Sequence, residues 1–258
     1  MKKFKPINFQ KYSSIKIGGS HDVLMIDKIG DYKEYQIIGD ANNLLISKKP
    51  KPMAKLGDSF KYIKQDRDSL TVGGGTSSGK LNSYAKNHDI GGFEFMAALP
   101  GCVGGLVAMN AGLKQFEIFD IIHSINIDGK VLDKHDIIHH YRYTDISGVI
   151  YEVVFDISKG YDIDKVDMFK AMRANQPTNA SAGSCFKNPV GHSAGYLIEQ
   201  VGLKGFRLGD MAYSDIHANF LINIGGGIYG DAIKLISIAK QKVKQKFDIE
   251  LELEIKII

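Results

Sequence analysis

Short apolar runs of β character, each closed off by glycine, asparagine or a lysine–proline pair, fill the first half of this 258-residue chain. Val23–Ile26, Tyr35–Ile38, Leu44–Ser47 and Ser69–Val72 are too short for helices, and their punctuation predicts strands joined by turns. Gly79–His88 then reads as a helix that Gly91-Gly92 would stop. Ile121–Ile127, a turn at Asp128-Gly129 and Val131-Leu132 form a hairpin signal, and Val149–Ile157 alternates again. Past Lys159-Gly160 the pattern turns helical, at Asp164–Asn175, Ala194–Val201 and the amphipathic Asp231–Lys246. Ile249–Ile258 alternates and predicts a terminal strand. Strands and helices without regular βαβ alternation place the chain in the α+β class, with a boundary near residue 160.

Composition narrows the partners. Hydrophobic residues make up 44% and charged residues 24%, which suits a large packed core, and no apolar run could span a bilayer. Met1-Lys2-Lys3-Phe4-Lys5 is basic, but Ile7-Asn8-Phe9-Gln10 follows where a signal peptide needs an apolar stretch. Cys102 and Cys185 are the only cysteines, too few for a disulfide framework, so a cytoplasmic protein is expected. The net charge of +4 comes from scattered lysines without an aromatic-interleaved stripe, a pattern of solvated surface rather than nucleic-acid binding. It also suits a small anion such as a nucleotide diphosphate. His135 and His139 have i, i+4 spacing and His140 follows, but no further ligand completes a metal site, and none is expected.

Three glycine-rich segments could meet a phosphate. Gly73-Gly74-Gly75-Thr76-Ser77-Ser78-Gly79-Lys80-Leu81 follows a strand and opens a helix, yet Leu81 stands where a P-loop needs its magnesium-binding hydroxyl. Leu99-Pro100-Gly101-Cys102-Val103-Gly104-Gly105 presents a stiffened entry and bare backbone whose N–H groups could cradle a pyrophosphate. Ile37-Ile38-Gly39-Asp40-Ala41-Asn42-Asn43-Leu44-Leu45 is a strand, a polar turn and a strand. No segment carries the dinucleotide fingerprint between a strand and a helix, so a Rossmann fold is not indicated. Downstream, Ala182-Gly183-Ser184-Cys185-Phe186-Lys187-Asn188-Pro189 sets a glycine-flanked hydroxyl beside a cation and an amide. Ser214-Asp215-Ile216-His217-Ala218-Asn219-Phe220, Asn223 and Gly225–Gly227 form a second polar string, and the two suggest a site for a polar substrate.

These segments, with Ser14-Ile15-Lys16-Ile17-Gly18-Gly19, Asn110-Ala111-Gly112, Tyr141-Arg142, Gln176-Pro177, Ala194–Glu199, Gly202–Gly205 and Glu254, come in the order seen in UDP-N-acetylenolpyruvoylglucosamine reductases. The chain resembles the short branch of that family, which lacks an inserted substrate-covering loop, and the likeness spans nearly its whole length. The resemblance implies a vanillyl-alcohol-oxidase-like FAD-binding module of two small lobes plus an α+β substrate-binding domain. On that plan the module would be residues 1–160, split near 50, and the substrate domain residues 161–258, with the strand at 249–258 returning to the module. It further implies reduction of an enolpyruvyl ether to UDP-N-acetylmuramate in peptidoglycan synthesis, with FAD and NADPH as cofactors and no membrane insertion. A monomer is expected. By similarity Gly39, Asn42, Asn43, Leu44, Pro100, Gly101, Gly104, Gly105, Asn110 and Gly112 would bind FAD. Asn188, Lys187 and His217 would bind substrate. Ser184 would give a proton to C2 after hydride reaches C3, and Arg142 and Glu254 would stabilise the enolate.

Some positions depart from the family pattern. Ala41-Asn42 replaces the common Gly-Ser, and Asn175 stands where a lysine is frequent, which leaves Lys187 or Arg173 as the candidate cation. On periodicity alone, Glu250, Glu252 and Glu254 share one face of a strand and read as solvated. Two other readings remain: an FAD-linked oxidase of the same superfamily, or a nucleotide-sugar-binding module without catalysis.

Overall fold

Asp128 and Gly129 both take positive φ, 52° and 87°, which is what a two-residue turn needs to match the twist of the strands it joins. In the computed structural model, which describes residues 2–258, that turn closes the expected hairpin, with Ile127 opposite Lys130 and Ser124 opposite Asp133. The hairpin is one edge of a five-stranded antiparallel sheet. Its order runs Lys130–Asp133, Ile122–Ile127, Ile150–Asp156, Ser69–Gly73 and Ile63–Gln65. A bulge sets Asn126 against Glu152 and Ile127 against Ile150, so Tyr151 is the extra residue. Tyr151 accordingly leaves the apolar cluster of its strand neighbours Ile150, Val153 and Phe155 and joins a second one with Leu24, Ile26, Leu56 and Phe60. The first cluster is closed by the helix Ser78–Asn87, through Leu81 and Ala85, and by Phe93 and Phe169.

Met53–Leu56 runs parallel to Val23–Ile26 on one side and to Gln36–Ile37 on the other. This strand was hidden in the sequence behind Lys48-Lys49-Pro50-Lys51-Pro52, whose charges and prolines read as a break. These elements make up one compact unit, Val23–Asp40 and Pro52–Ala174 with the N-terminal residues through Lys5.

The other unit comprises Pro6–Asp22, Ala41–Lys51 and Asn175–Ile258. Its antiparallel sheet has the order Ala180–Ser184, Phe220–Asn223, Met211–Tyr213, Arg207–Leu208. The helix Tyr229–Phe247 buries Ala232, Leu235, Ile236, Ala239 and Val243, the three-and-four spacing of one face, and ends at Asp248 in the left-handed conformation. With Leu197 and Ile198 of the helix Ala194–Gln200 it covers Met211 and Tyr213. Ile15, Ile17 and Leu45 belong to this same core. Compactness thus divides the chain differently from residues 1–160 and 161–258, because early segments supply side chains to the later core. The terminal alternation also forms no continuous strand. Leu253 bridges Phe186 antiparallel, while only Lys256–Ile257 pairs, parallel, with Leu44–Leu45. No helix among the described residues is long and apolar enough to cross a membrane.

Gly73, Gly74 and Gly75 serve packing. Their N–H groups donate to the carbonyls of Tyr62, Tyr151 and Phe60, so none is left to cradle a phosphate. A Cβ on Gly74 would lie 2.1 Å from the Ile150 carbonyl oxygen, an overlap that only backbone movement could relieve. Gly74→Ala is therefore expected to cost about 3 kcal/mol or to abolish folding. Gly79→Ala, in the first turn of a helix with open space around it, is expected to gain up to about 1 kcal/mol. Urea unfolding of the two variants checks this.

Candidate active site

Ser184 ends the strand Ala180–Ser184, where the register against Phe220–Asn223 shifts between Ser181 and Ser184. Gly183 sits at φ 79°, a conformation open to glycine, and lets the chain turn before the serine. Beyond Ser184 the backbone is held on both edges. On one edge, the Cys185 N–H donates to the Asn219 carbonyl at 2.7 Å. The Asn219 carboxamide brackets Phe186, accepting from its N–H at 3.0 Å and donating to its carbonyl at 2.8 Å. On the other edge, the Cys185 carbonyl accepts the Glu254 N–H at 3.0 Å, and the Lys187 N–H donates to the Glu252 carbonyl at 2.9 Å. Ser184 and Glu254 thus stand on adjoining stretches of one antiparallel contact.

Asn43 fixes the far side of Glu254. Its side-chain amide donates to the Glu254 carbonyl at 2.9 Å, and its own carbonyl accepts the Lys256 N–H at 2.9 Å. Ser14 holds the neighbouring turn by donating its hydroxyl to the Asn42 carbonyl at 3.0 Å, and Leu44 lies in the pairing with Lys256. Ala41, where the family commonly has glycine, keeps a positive φ of 54°. Of the expected substrate contacts, Asn188 accepts the Ala194 N–H at 3.0 Å, at the start of a helix whose N-cap is Ser193, while Lys187 pairs with Glu252 at 2.6 Å. His217 accepts the Asn219 N–H on Nδ1 at 3.3 Å, which places its proton on Nε2, and burial lowers its pKa and favours the neutral ring. Asn223 is structural: its oxygen accepts from Gly225 and Gly227 and its amide donates to the Ile15 carbonyl.

Arg142 and most of the expected phosphate turns lie in the other unit. Arg142 occupies a two-residue turn between His139-His140 and Tyr143-Thr144 with φ 55°, a conformation that costs a non-glycine residue about 1–2 kcal/mol. Its guanidinium donates to the Gly112 carbonyl at 2.6 Å and the Asn110 carbonyl at 3.4 Å, and lies 5.0 Å from the Tyr141 ring centre. Fully buried Asn110 organises this region, donating to Glu117 at 2.6 Å and to the His140 carbonyl at 3.2 Å. His139 stacks on Phe119 and His140 on Tyr143. No group of three His, Cys, Asp or Glu among the described residues could hold a metal.

Gly39 packs against the Pro100–Gly105 turn, where a Cβ on Gly39 would stand 2.9 Å from Cys102 Sγ. Two turns of bare backbone therefore converge, with Lys55 paired to Asp40 and donating to the Gly39 carbonyl at 3.3 Å. Val103 and Gly104, at the helix start, already donate their N–H groups to the carbonyls of Thr76 and Gly74. A phosphate here would draw on the rest of the two turns.

Sequence reasoning singled out the His217–Phe220 string but gave Asn219 no role; its signal, an amide inside an apolar strand start, shows only once the strand is paired. Cys185 is fully buried with its thiol hydrogen-bonded to Tyr213, and burial pushes both cysteine pKa values up. Both thiols stay protonated at pH 8, so a thiol-reactive disulfide reagent is expected to label neither in the native protein and both after denaturation.

Three comparisons bear on this arrangement. Residues 176–258 match the family model described as UDP-N-acetylenolpyruvoylglucosamine reductase, C-terminal domain. The chain is 45% identical over 257 residues to the UDP-N-acetylenolpyruvoylglucosamine reductase of Helicobacter hepaticus, covering 98% of each chain. It is 43% identical to that of Campylobacter jejuni, with 98% of this chain and 99% of the relative aligned. The crystal structure of UDP-N-acetylenolpyruvylglucosamine reductase from Thermus caldophilus superposes with a TM-score of 0.87 at 27% identity, over 100% of this chain and 99% of that one. Relatives this similar along the whole length establish that the chain belongs to the UDP-N-acetylenolpyruvoylglucosamine reductase family.

Proposed function

We infer that the chain carries out the reduction for which its family is named, as an oxidoreductase of peptidoglycan precursor synthesis. The substrate is UDP-N-acetylglucosamine enolpyruvate, the product UDP-N-acetylmuramate, and the electron source NADPH. A cytoplasmic setting goes with those substrates. The observation that carries the reading is the backbone tie at Cys185, whose carbonyl accepts the Glu254 N–H one residue past Ser184 within their unit.

The glycine turns at Gly39 and Pro100–Gly105 fit a pyrophosphate-bearing cofactor, since Gly39, Gly104 and Gly105 leave bare backbone there beside the small Cys102 side chain. In this reading they belong to a vanillyl-alcohol-oxidase-like module, and Gly39, Gly101, Gly104 and Gly105 would hold FAD, with Asn42 and Asn43 completing the turn. FAD held there would supply the hydride chemistry that links NADPH to C3 of the enolpyruvyl group. The protein's own groups manage the charge and the proton. Negative charge grows at C2 and spreads into the substrate carboxylate, where the cationic Arg142 guanidinium can stabilise it. Glu254 in its protonated form donates a hydrogen bond to the same enolate. Ser184 Oγ–H then transfers its proton to C2, and Glu254 lowers the cost of the alkoxide left behind. Lys187, which pairs with Glu252, and Arg173, which donates to the Ala98 carbonyl, are the two candidate cations for the substrate.

Ser184→Ala separates the steps. Under anaerobic conditions the variant is expected to lose its flavin colour on adding NADPH at the native rate. Recovery of colour on adding the enolpyruvyl sugar is expected to slow about 10²–10⁴-fold, the usual worth of a positioned proton donor. Equal rates in both half-reactions would remove Ser184 from the mechanism. A native protein that bleaches without recovering would instead point to an oxidase with another substrate.

A further inference from the structure

The regular ladder stops at the residue whose hydroxyl must be aimed. Ser184 is the last paired residue of its strand and follows a register shift, so the ladder with Phe220–Asn223 does not continue past it, while the other edge is tied to Glu252–Glu254. On the edge left open, Cys185 and Phe186 are held by Asn219, 3% exposed, whose backbone carbonyl takes the Cys185 N–H and whose carboxamide takes both polar groups of Phe186. Three hydrogen bonds from one residue thus replace the missing ladder along two peptide units. Asn219 is itself anchored: its N–H donates to His217 Nδ1, and the His217 ring lies against Gly195, where a Cβ would come within 3.0 Å of Cε1. The chain of contacts runs from Gly195 through His217 and Asn219 to the serine turn without leaving the unit.

We propose that Asn219 is a positioning residue for the proton transfer, holding Ser184 in line with C2 through the bracket of its carboxamide on Phe186. This rests on the assignment of Ser184 as proton donor. A side chain that packed the core without aiming the serine could be apolar; one that satisfies the N–H and the carbonyl of the same residue has a geometry no apolar group reproduces. Misplacing a reacting group by about 1 Å can cost on the order of 10²-fold.

The test uses the flavin-loaded enzyme and follows the two half-reactions separately for Asn219→Ala, Asn219→Asp and Ser184→Ala. Asn219→Ala is expected to slow reoxidation by the enolpyruvyl sugar about 10–10²-fold and to leave reduction by NADPH unchanged. Asn219→Asp keeps the shape. When protonated it donates its O–H to the Phe186 carbonyl and accepts the Phe186 N–H; when ionised it cannot donate and repels that carbonyl. Its reoxidation rate is therefore expected to approach native at low pH and to fall as pH rises, with a limb that the native enzyme, run in parallel, lacks. The ionisable groups around this position include His217, Lys204, Cys185, Tyr213, Lys240, Lys187 and Glu254, all common to both proteins, so the extra limb belongs to the new carboxyl. If Asn219→Ala does not fold, the Asn219→Asp limb decides. Equal slowing of both half-reactions, native reoxidation in both Asn219 variants, or a pH profile of Asn219→Asp parallel to the native one would overturn the proposal. Native reoxidation in Ser184→Ala would overturn the proton-donor assignment and this proposal with it; a Ser184→Ala defect beside unaffected Asn219 variants would overturn this proposal alone.

Discussion

The short antiparallel contact between Cys185–Lys187 and Glu252–Glu254 governs the geometry of the second unit's chemistry. Each of its bonds is backbone to backbone, so the spacing of the chain just after Ser184 from the chain at Glu254 does not depend on side-chain rotamers. Asn219 on one flank and Asn43 on the other saturate the groups this contact leaves over. An unpaired backbone group at a buried site costs about 1–3 kcal/mol, and the two amides remove that penalty while fixing direction. Asn219 uses both sides of its carboxamide, donating and accepting in a single plane without bringing charge, and Asn43 donates from its own to the Glu254 carbonyl.

The Arg142 region of the other unit follows a different logic. There the backbone is strained, with both Arg142 and Asn110 at positive φ, and the strain is held by convergent bonds onto the Asn110 and Gly112 carbonyls. A guanidinium tied to two carbonyls is pre-oriented rather than swinging on its long stem, which suits a group meant to meet developing charge. Asn110 and Gly112, expected to serve the cofactor, have their most evident work here. The buried Asn110 amide is spent on Glu117 and His140.

Much of the fold was legible in the residues. The hairpin at Asp128-Gly129, the helix over Tyr229–Phe247 and the strand Ile150–Asp156 follow from local turn chemistry and hydrophobic period, which act between neighbours in sequence. Met53–Leu56 escaped because a strand between two parallel neighbours carries no alternation, and flanking lysines and prolines mimic a loop. The terminal alternation was read as one strand, whereas its halves find different partners, Phe186 and Leu44–Leu45.

At the site, the residue types and their order were enough to identify the family and to single out Ser184, Arg142 and Glu254, because chemistry is carried by side-chain identity. Sequence also determined where the chain must be glycine, as at Gly39 and Gly74, though not why. Only tertiary structure decided that Gly74 yields to the Ile150 carbonyl and Gly39 to the Cys102 sulfur. It likewise decided that the early segments around Ile15 and Leu45 share a core with the last helix, and that Asn219 and Asn43 hold the serine and glutamate strands. Those bonds join residues from 33 to 211 positions apart, and no local pattern encodes which distant carbonyl an amide will find.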